Sequence, residues 1–170
     1  MARNIEIKAR VRDLASIEDR ARALATSGPV ELAQDDTFFA CAHGRLKLRE
    51  FGDGTGELIH YFRPDDSGPK VSDYVISATA NPQGLRESLT RALGTVGRVR
   101  KRRRLYHLDR TRIHLDEVEG LGAFVELEVV LRDGEGTEAG RAEASRIMGL
   151  LGIDDSQLVQ GAYVDQALAD

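Results

Sequence analysis

Rows of like-charged side chains occupy single faces of several strand-like segments. Arg45, Lys47 and Arg49 alternate with leucines, and Glu126 and Glu128 alternate with valine and leucine. Successive side chains of a β-strand point to opposite faces, so each row lies on one face of its strand. Like charges on adjacent exposed strands repel one another. The rows are therefore better explained if they converge on ligands of opposite charge.

The residue types indicate which ligands these are. Arginine offers paired donors and lysine a compact charge, and together they suit a polyphosphate. Carboxylates are hard oxygen ligands that suit Mg²⁺ or Mn²⁺. The carboxylates placed to serve in this way are Glu6, Asp116, Glu126 and Glu128. A solvated sheet face with cross-strand ion pairs is the alternative for any one strand, but four strands with the same pattern favour a binding site.

The segment 97–108 is basic on both of its faces. Lys101 and Arg103 share one face, and Arg100, Arg102 and Arg104 share the other. Periodicity alone does not indicate which face points inward. A run of five basic residues is also typical of a nucleic-acid patch. We disfavour that interpretation, because the run lies within a strand pattern and the chain has a net charge of -4.

Hydrophobic periodicity predicts the elements that position these residues. Helices are expected at 13–26, 82–93 and 137–151, with a short helix in the tail at 155–169. Gly28-Pro29 is expected to close the first helical segment, and 64–70 to form a loop. Strands are expected at 3–11, 30–42, 45–51, 57–63, 71–79, 97–108, 111–118 and 123–132.

Composition sets limits on the class of protein. The 170 residues are 41% hydrophobic and 31% charged, which is typical of one globular domain spanning 1–170. No apolar stretch approaches the roughly 20 residues that span a bilayer. The single cysteine, Cys41, suits a reducing cytoplasm and is expected to be a small buried or half-buried thiol. We therefore expect a cytoplasmic protein without a membrane or nucleic-acid partner.

Several motifs, in order along nearly the whole chain, resemble the CYTH family of class IV adenylyl cyclases and thiamine-triphosphatase-like enzymes, also called triphosphate tunnel metalloenzymes. They are N-I-E-I-K at 4–8, Q-D-D-T-F-F at 34–39, G-R-L-K-L-R at 44–49, V-R-K-R-R-R-L-Y at 99–106, R-I-H-L-D-E-V-E-G-L-G-A-F-V-E-L-E at 112–128, L-G-I at 151–153 and A-Y-V-D at 162–165.

The resemblance implies an α+β fold, with a closed eight-stranded antiparallel β-barrel whose interior is charged and whose helices lie outside. It implies inward Lys101 and Arg103 on the ambiguous strand. It further implies triphosphate binding by Lys8, Arg45, Lys47, Arg49, Arg63, Lys101, Arg103 and Arg112, and Mg²⁺ or Mn²⁺ binding by Glu6, Asp116, Glu126 and Glu128. Catalytic roles are expected for Lys8, Glu6 and Arg103.

The leading hypothesis is a class IV adenylyl cyclase-type enzyme that converts ATP to cyclic AMP and pyrophosphate. A triphosphatase and a non-catalytic triphosphate sensor are the alternatives. The sequence leaves open whether the chain forms a homodimer. Asn4 replaces the first glutamate of the family's Glu-x-Glu-x-Lys motif, which favours the sensor. Phe38 and Phe39 stand where triphosphatase relatives often carry a tyrosine, which weakens the thiamine-triphosphatase reading. His114 is a candidate acid or base, or a charge-paired tunnel histidine.

Overall fold

The chain forms a closed barrel of eight antiparallel strands with four α-helices outside it, in a computed structural model that describes residues 2–64 and 68–169. The predicted α+β barrel is confirmed. The strands are β1 (Ala2–Val11), β2 (Ser27–Phe39), β3 (Arg45–Phe51), β4 (Gly56–Phe62), β5 (Lys70–Thr79), β6 (Thr95–Leu108), β7 (Thr111–Val118) and β8 (Gly122–Val130). The helices are α1 (Leu14–Leu24), α2 (Pro82–Leu93), α3 (Thr137–Leu150) and α4 (Tyr163–Ala169).

The order of strands around the barrel is β1-β5-β4-β3-β2-β6-β7-β8, and β1 closes it by pairing with β5 and β8. Glu6 lies opposite Lys70 on one side and opposite Glu128 on the other. Because the register of each pair fixes which residues share a face, the inner wall is determined by these pairings.

The main apolar core lies between the helices and the outer faces of β1, β7 and β8. Ile5, Ile7, Ile113 and Leu127 point outward from the barrel and pack with Ile147 of α3. Burial of these outward faces against helices stabilises the fold by removing apolar surface from water. The inner faces are thus left free to carry the charged side chains.

A second apolar cluster closes one end of the barrel. Phe38 and Val99, from β2 and β6, pack with Phe124 of β8 and with Tyr163 and Val164 of α4. The aromatic rings of Phe124 and Tyr163 meet edge to face, with centroids 4.9 Å apart. The start of α4 therefore covers this end of the barrel.

The helix starts follow local capping chemistry. The Asp13 carboxylate accepts a hydrogen bond from the Ser16 amide at 3.0 Å, and Asn81 caps α2 through the Gly84 amide at the same distance. Pro82 occupies the first turn of α2, where its missing amide hydrogen is not needed. No helix in the described part of the chain is both long and apolar enough to cross a membrane.

Three local predictions were wrong. Gly28-Pro29 does not separate helix from strand but lies within β2, where the pairing with β6 shifts register between Ser27 and Val30. The tail is not one helix: a 3-10 helix at Asp155–Gln157 precedes α4, and Gly161, with φ of 72°, lies between them. Cys41 is exposed, because it lies in the connection between β2 and β3 rather than in a core strand. The predicted loop 64–70 includes residues 65–67, which lie outside the described residues.

Candidate functional site: a charged tunnel

The barrel encloses a cavity of about 370 Å³, a size that suits a small ligand. All eight strands contribute to its wall. Among the described residues, the charged side chains that line it are seven cations and five anions: Lys8, Lys47, Arg49, Arg63, Lys101, Arg103 and Arg112, with Glu6, Asp36, Glu57, Glu126 and Glu128. The wall therefore carries an excess of positive charge, as a polyanion requires.

Asp36 on β2 holds three of the cations together. Its carboxylate accepts two hydrogen bonds from Arg49 at 2.8 Å and one from Lys47 at 3.1 Å. The Lys101 ammonium lies 3.7 Å away. Burial alone would raise the pKa of Asp36, but Arg49, Lys47 and Lys101 outweigh it and hold that pKa well below its usual range. These three cations thus form a preorganised charged group on β3 and β6, the two strands that flank β2.

Asp116 on β7 fixes another cation in a similar way. It accepts two hydrogen bonds from Arg103, at 2.7 and 2.6 Å, and a third from the Tyr163 hydroxyl at 2.8 Å. Burial would raise the pKa of Asp116, but Arg103 outweighs it and lowers that pKa. Asp116 is fully buried and holds the Arg103 guanidinium in a fixed orientation.

Lys8 and Arg63 meet the segment that precedes α4. The Lys8 ammonium donates to the Gly161 carbonyl at 3.2 Å, and Arg63 donates to the same carbonyl at 3.0 Å. Arg63 also pairs with Glu6 at 2.6 Å. Burial lowers the pKa of Lys8 to about 8, so this ammonium loses its proton more readily than an exposed lysine. The Tyr163 ring lies 3.9 Å from it.

Two carboxylates and an imidazole come together on β7 and β8. One ligand atom from each of His114, Glu126 and Glu128 lies within 4.8 Å of the others. Arg112 pairs with Glu128 at 2.6 Å, and Lys8 lies 4.0 Å from Glu126. Burial, with a further contribution from Arg103, lowers the pKa of His114 to about 4. This donor set fits a divalent metal ion, since it combines two oxygen ligands with one nitrogen.

Several apolar side chains line the end of the cavity opposite α4. Phe51 and Leu105 lie two residues beyond Arg49 and Arg103 on β3 and β6, and Leu32 lies four residues before Asp36 on β2. The register places these three apolar side chains at the same end. Ile76 of β5 joins them and is half exposed. An organic group attached to a bound polyphosphate would find apolar contacts here.

The structure brings most of the predicted phosphate-binding residues to the cavity wall. Lys8, Lys47, Arg49, Arg63, Lys101, Arg103 and Arg112 all line it. Arg45 lies outside this lining, and its guanidinium donates to both oxygens of Asp165 in α4, at 2.9 and 2.7 Å. Its role in binding triphosphate stays a prediction.

The predicted metal ligands are placed differently from one another. Glu126 and Glu128 belong to the clustered donor set, whereas Glu6 pairs with Arg63 and Asp116 with Arg103. Asn4 also lines the cavity, and its side-chain oxygen has no hydrogen-bond partner among the described residues. The metal-binding roles of Glu6 and Asp116 stay predictions.

The sequence analysis missed Asp36 and Tyr163 as site residues, and it named His114 without a metal-binding role. Asp36 could have been found, since it shares a strand face with inward Gln34 and Phe38. His114 was recognised as inward but not as a donor beside Glu126 and Glu128, because that proximity depends on the register of β7 and β8. Tyr163 comes from the tail, and no local pattern indicates that its hydroxyl reaches Asp116.

The outer face of β6 does not present a free basic strip. Arg98 and Arg100 pair with Asp35 at 2.6 and 3.3 Å, and Arg104 pairs with Glu18 at 2.9 Å. Acidic neighbours thus neutralise much of the outward charge of this strand.

Comparison with known proteins agrees with the geometry. A family model described as the CYTH domain matches residues 2–163, which confirms the resemblance inferred from the motifs. No curated protein sequence matches the chain.

Solved structures share the fold. The PH1012 protein of Pyrococcus horikoshii OT3 is 23% identical, with a TM-score of 0.85 over 95% of this chain and 98% of that one. A candidate adenylate cyclase from Vibrio parahaemolyticus is 16% identical, with a TM-score of 0.78 over 98% of each chain. The candidate adenylyl cyclase HpAC1 from Hippeastrum, with a dominant triphosphatase activity, is 16% identical, with a TM-score of 0.65 over 90% of this chain and 89% of that one. At these identities the likeness shows the fold.

Proposed function

Because the chain belongs to the CYTH family, we propose that it is a divalent-metal-dependent enzyme that acts on a nucleoside triphosphate or another organic triphosphate inside its tunnel. The observation that carries this proposal is the convergence of seven cationic side chains on one enclosed cavity. Arginine and lysine at such density suit the charge of a triphosphate. The apolar end of the cavity, with Leu32, Phe51, Ile76 and Leu105, favours an organic triphosphate over the inorganic one.

The reaction we favour is cyclisation of ATP to cyclic AMP and pyrophosphate. The ribose 3'-oxygen attacks the α-phosphorus, the bond from that phosphorus to the bridging oxygen of the β-phosphate breaks, and pyrophosphate leaves with the electron pair. The hydroxyl proton passes to a base. The structural relative from Vibrio parahaemolyticus, named as a candidate adenylate cyclase, supports this choice.

The chain's own residues supply binding, orientation and charge stabilisation. Lys47, Arg49 and Lys101 hold phosphate oxygens while Asp36 keeps them in place. Arg103, oriented by Asp116, stabilises the charge that develops on the phosphoryl oxygens. Lys8 is the candidate base, since its pKa of about 8 leaves part of the population neutral near that pH.

The residues that hold the metal in this proposal are Glu126 and Glu128, with Glu6 and Asp116 as predicted ligands for a second ion. A bound Mg²⁺ or Mn²⁺ ion would neutralise phosphate charge and orient the reacting oxygens. Glu128 is paired with Arg112 at 2.6 Å, so in this proposal the guanidinium and the metal ion would share the charge of that carboxylate.

A triphosphatase is the second candidate, in which water replaces the 3'-hydroxyl as the nucleophile. The name of the Hippeastrum relative, with its dominant triphosphatase activity, favours it. Phe38 disfavours the thiamine-triphosphatase variety, because this residue lines the cavity without a hydroxyl group. A non-catalytic triphosphate sensor is the third candidate, and Asn4 in place of a glutamate favours it.

One assay separates the three candidates. Purified protein is incubated with Mg²⁺ or Mn²⁺ and with ATP, GTP, thiamine triphosphate or inorganic triphosphate, and the products are resolved by chromatography. Cyclic AMP with pyrophosphate supports the cyclase, orthophosphate supports the triphosphatase, and tight metal-dependent binding without turnover supports the sensor. The Glu126→Ala, Glu128→Ala variant should lose turnover. The matched Glu117→Ala, Glu119→Ala variant, changed at exposed positions, should keep it. Full turnover in the first variant would refute the metal assignment.

A further inference from the structure

His114 is a buried side chain whose hydrogen-bonding capacity is not fully used. The residue is 4% exposed and lines the cavity. Its Nδ1 atom has no hydrogen-bond partner among the described residues. Its Nε2 atom lies 3.8 Å from the nearer Glu128 oxygen, which is beyond a hydrogen bond. A buried polar atom without a partner is costly and calls for a ligand or a water molecule.

The surroundings of this imidazole indicate a cation as that ligand. Ligand atoms of His114, Glu126 and Glu128 lie within 4.8 Å of one another, and a metal ion between them would lie within about 2–3 Å of each donor. The three side chains come from the paired strands β7 and β8, where His114 lies directly opposite Glu126. Both strands are packed against the apolar core on their outer faces, so their backbone positions are fixed.

The chemical identity of the donors bears on which ion binds. Mg²⁺ prefers oxygen ligands and retains several waters, whereas imidazole suits first-row transition metals. Affinity of a mixed nitrogen and oxygen site rises from Mn²⁺ to Co²⁺ along the divalent series. A site made of carboxylates alone would discriminate less strongly against Mg²⁺.

We propose that His114 is a metal ligand beside Glu126 and Glu128, and that it makes the tunnel selective for Mn²⁺ and Co²⁺ over Mg²⁺. The proposal deepens the proposed function, on which it rests for the presence of a metal ion in the tunnel. Arg112 pairs with Glu128 at 2.6 Å and is the resident counter-ion of this carboxylate.

The test uses the full chain with Co²⁺ or Mg²⁺ alone, without any triphosphate. Titration calorimetry compares the native protein, His114→Gln, and a matched His43→Gln, His60→Gln variant at two exposed histidines. The first variant should lose at least about tenfold in Co²⁺ affinity, since loss of even an outer partner of a metal site costs that much. Its Mg²⁺ affinity should change by less than about threefold, because Mg²⁺ uses the oxygens. The control variant should match the native protein for both ions.

A second measurement does not depend on the folding of any variant. Electron spin-echo spectra of Mn²⁺ bound to the native protein should show modulation from an imidazole nitrogen, which is retained in the control variant. Absence of that modulation, equal Co²⁺ affinity in native and His114→Gln proteins, or no Co²⁺ binding to the native protein would each overturn the proposal. Turnover that persists with Mg²⁺ in any of these cases would leave the proposed function standing. If Mn²⁺ is coordinated by nitrogen but no triphosphate is turned over, the proposed function is refuted and His114 stands as a metal ligand.

Discussion

Removal of the Asp36 charge should lower the stability of the protein, because the cationic side chains around it then repel one another without a counter-ion. The Asp36→Asn substitution keeps the shape of the side chain but leaves Lys47, Arg49 and Lys101 without their shared counter-ion. Asp36 is 1% exposed, so water cannot replace the lost charge. The cations lie on β3 and β6, the strands on either side of β2, and no other carboxylate in the described part of the chain forms a hydrogen bond with Arg49.

The size of the effect follows from the burial of the group. Loss of one partner of a buried ion pair costs about 3–5 kcal/mol in free energy of unfolding. For a chain of this length, 1 kcal/mol shifts the Tm by about 2–4 °C, so the Tm should fall by on the order of 10 °C. The cost should shrink as pH rises toward about 10, the ordinary pKa of lysine. Burial lowers the pKa of Lys101, whereas the Asp36 carboxylate raises it. Without Asp36 the pKa of Lys101 in the folded state is lower still, so the folded variant holds fewer protons than the unfolded chain. Its free energy of unfolding therefore increases as pH rises.

The adjoining residue provides the matched control. Asp35 carries the same side chain on the outer face of β2, where it pairs with Arg98 and Arg100. Asp35→Asn should cost no more than about 1 kcal/mol, since exposed ion pairs contribute little. Thermal unfolding of both variants, with and without tripolyphosphate, tests the reasoning. The ligand should narrow the Tm gap between Asp36→Asn and the native protein, because it supplies the missing negative charge.

Two results would refute this account of the tunnel. One is a Tm for Asp36→Asn within about 2 °C of the Tm for Asp35→Asn, since that gap corresponds to a difference of less than about 1 kcal/mol in the free energy of unfolding. The other is a Tm gap that tripolyphosphate leaves unchanged or widens, since the released cations would then not be the groups that bind phosphate.

Three further predictions test separate parts of the structure. Without metal, affinity for tripolyphosphate should fall as pH rises through about 8, because the Lys8 ammonium loses its proton there. Titration calorimetry across that pH range measures the affinity. A Lys8→Arg variant with the same pH dependence would contradict the assignment to Lys8. Tyr163→Phe should lower the free energy of unfolding by about 1–3 kcal/mol in urea titrations, since it removes a buried 2.8 Å hydrogen bond to Asp116; unchanged stability would show that this bond is not formed. Gly140→Ala should lower the free energy of unfolding by about 1–3 kcal/mol, because the added Cβ would lie 2.7 and 2.8 Å from core side chains. Gly149→Ala in the same helix adds its Cβ to open space and should raise the free energy of unfolding by up to about 1 kcal/mol. The reverse order of stability would contradict the packing of α3.

Strand periodicity was sufficient to predict much of the inner wall. Lys47 and Arg49 alternate cleanly with leucines, and Glu126 and Glu128 alternate with apolar residues, so only one face of each strand could be buried in the outer core. The basic strand β6 was ambiguous, because both of its faces are charged. The family resemblance resolved it, and the structure shows Lys101 and Arg103 facing inward.

Features that depend on long-range register and docking were beyond local reasoning. Arg45 has the same alternation as Lys47, yet it lies where α4 supplies a partner in Asp165. The partnership of His114 with Glu126 depends on the pairing of β7 with β8. Tyr163 reaches Asp116 across 47 residues of sequence. None of these contacts can be predicted from hydrophobic periodicity.

A crystal structure with Mn²⁺ and a non-hydrolysable ATP analogue tests the central claim most directly. The account predicts triphosphate density inside the barrel, in contact with Lys47, Arg49 and Lys101, and an anomalous manganese peak between Glu126 and Glu128. Density for the analogue on the outer arginines of β6, with the barrel interior free of it, would contradict the account.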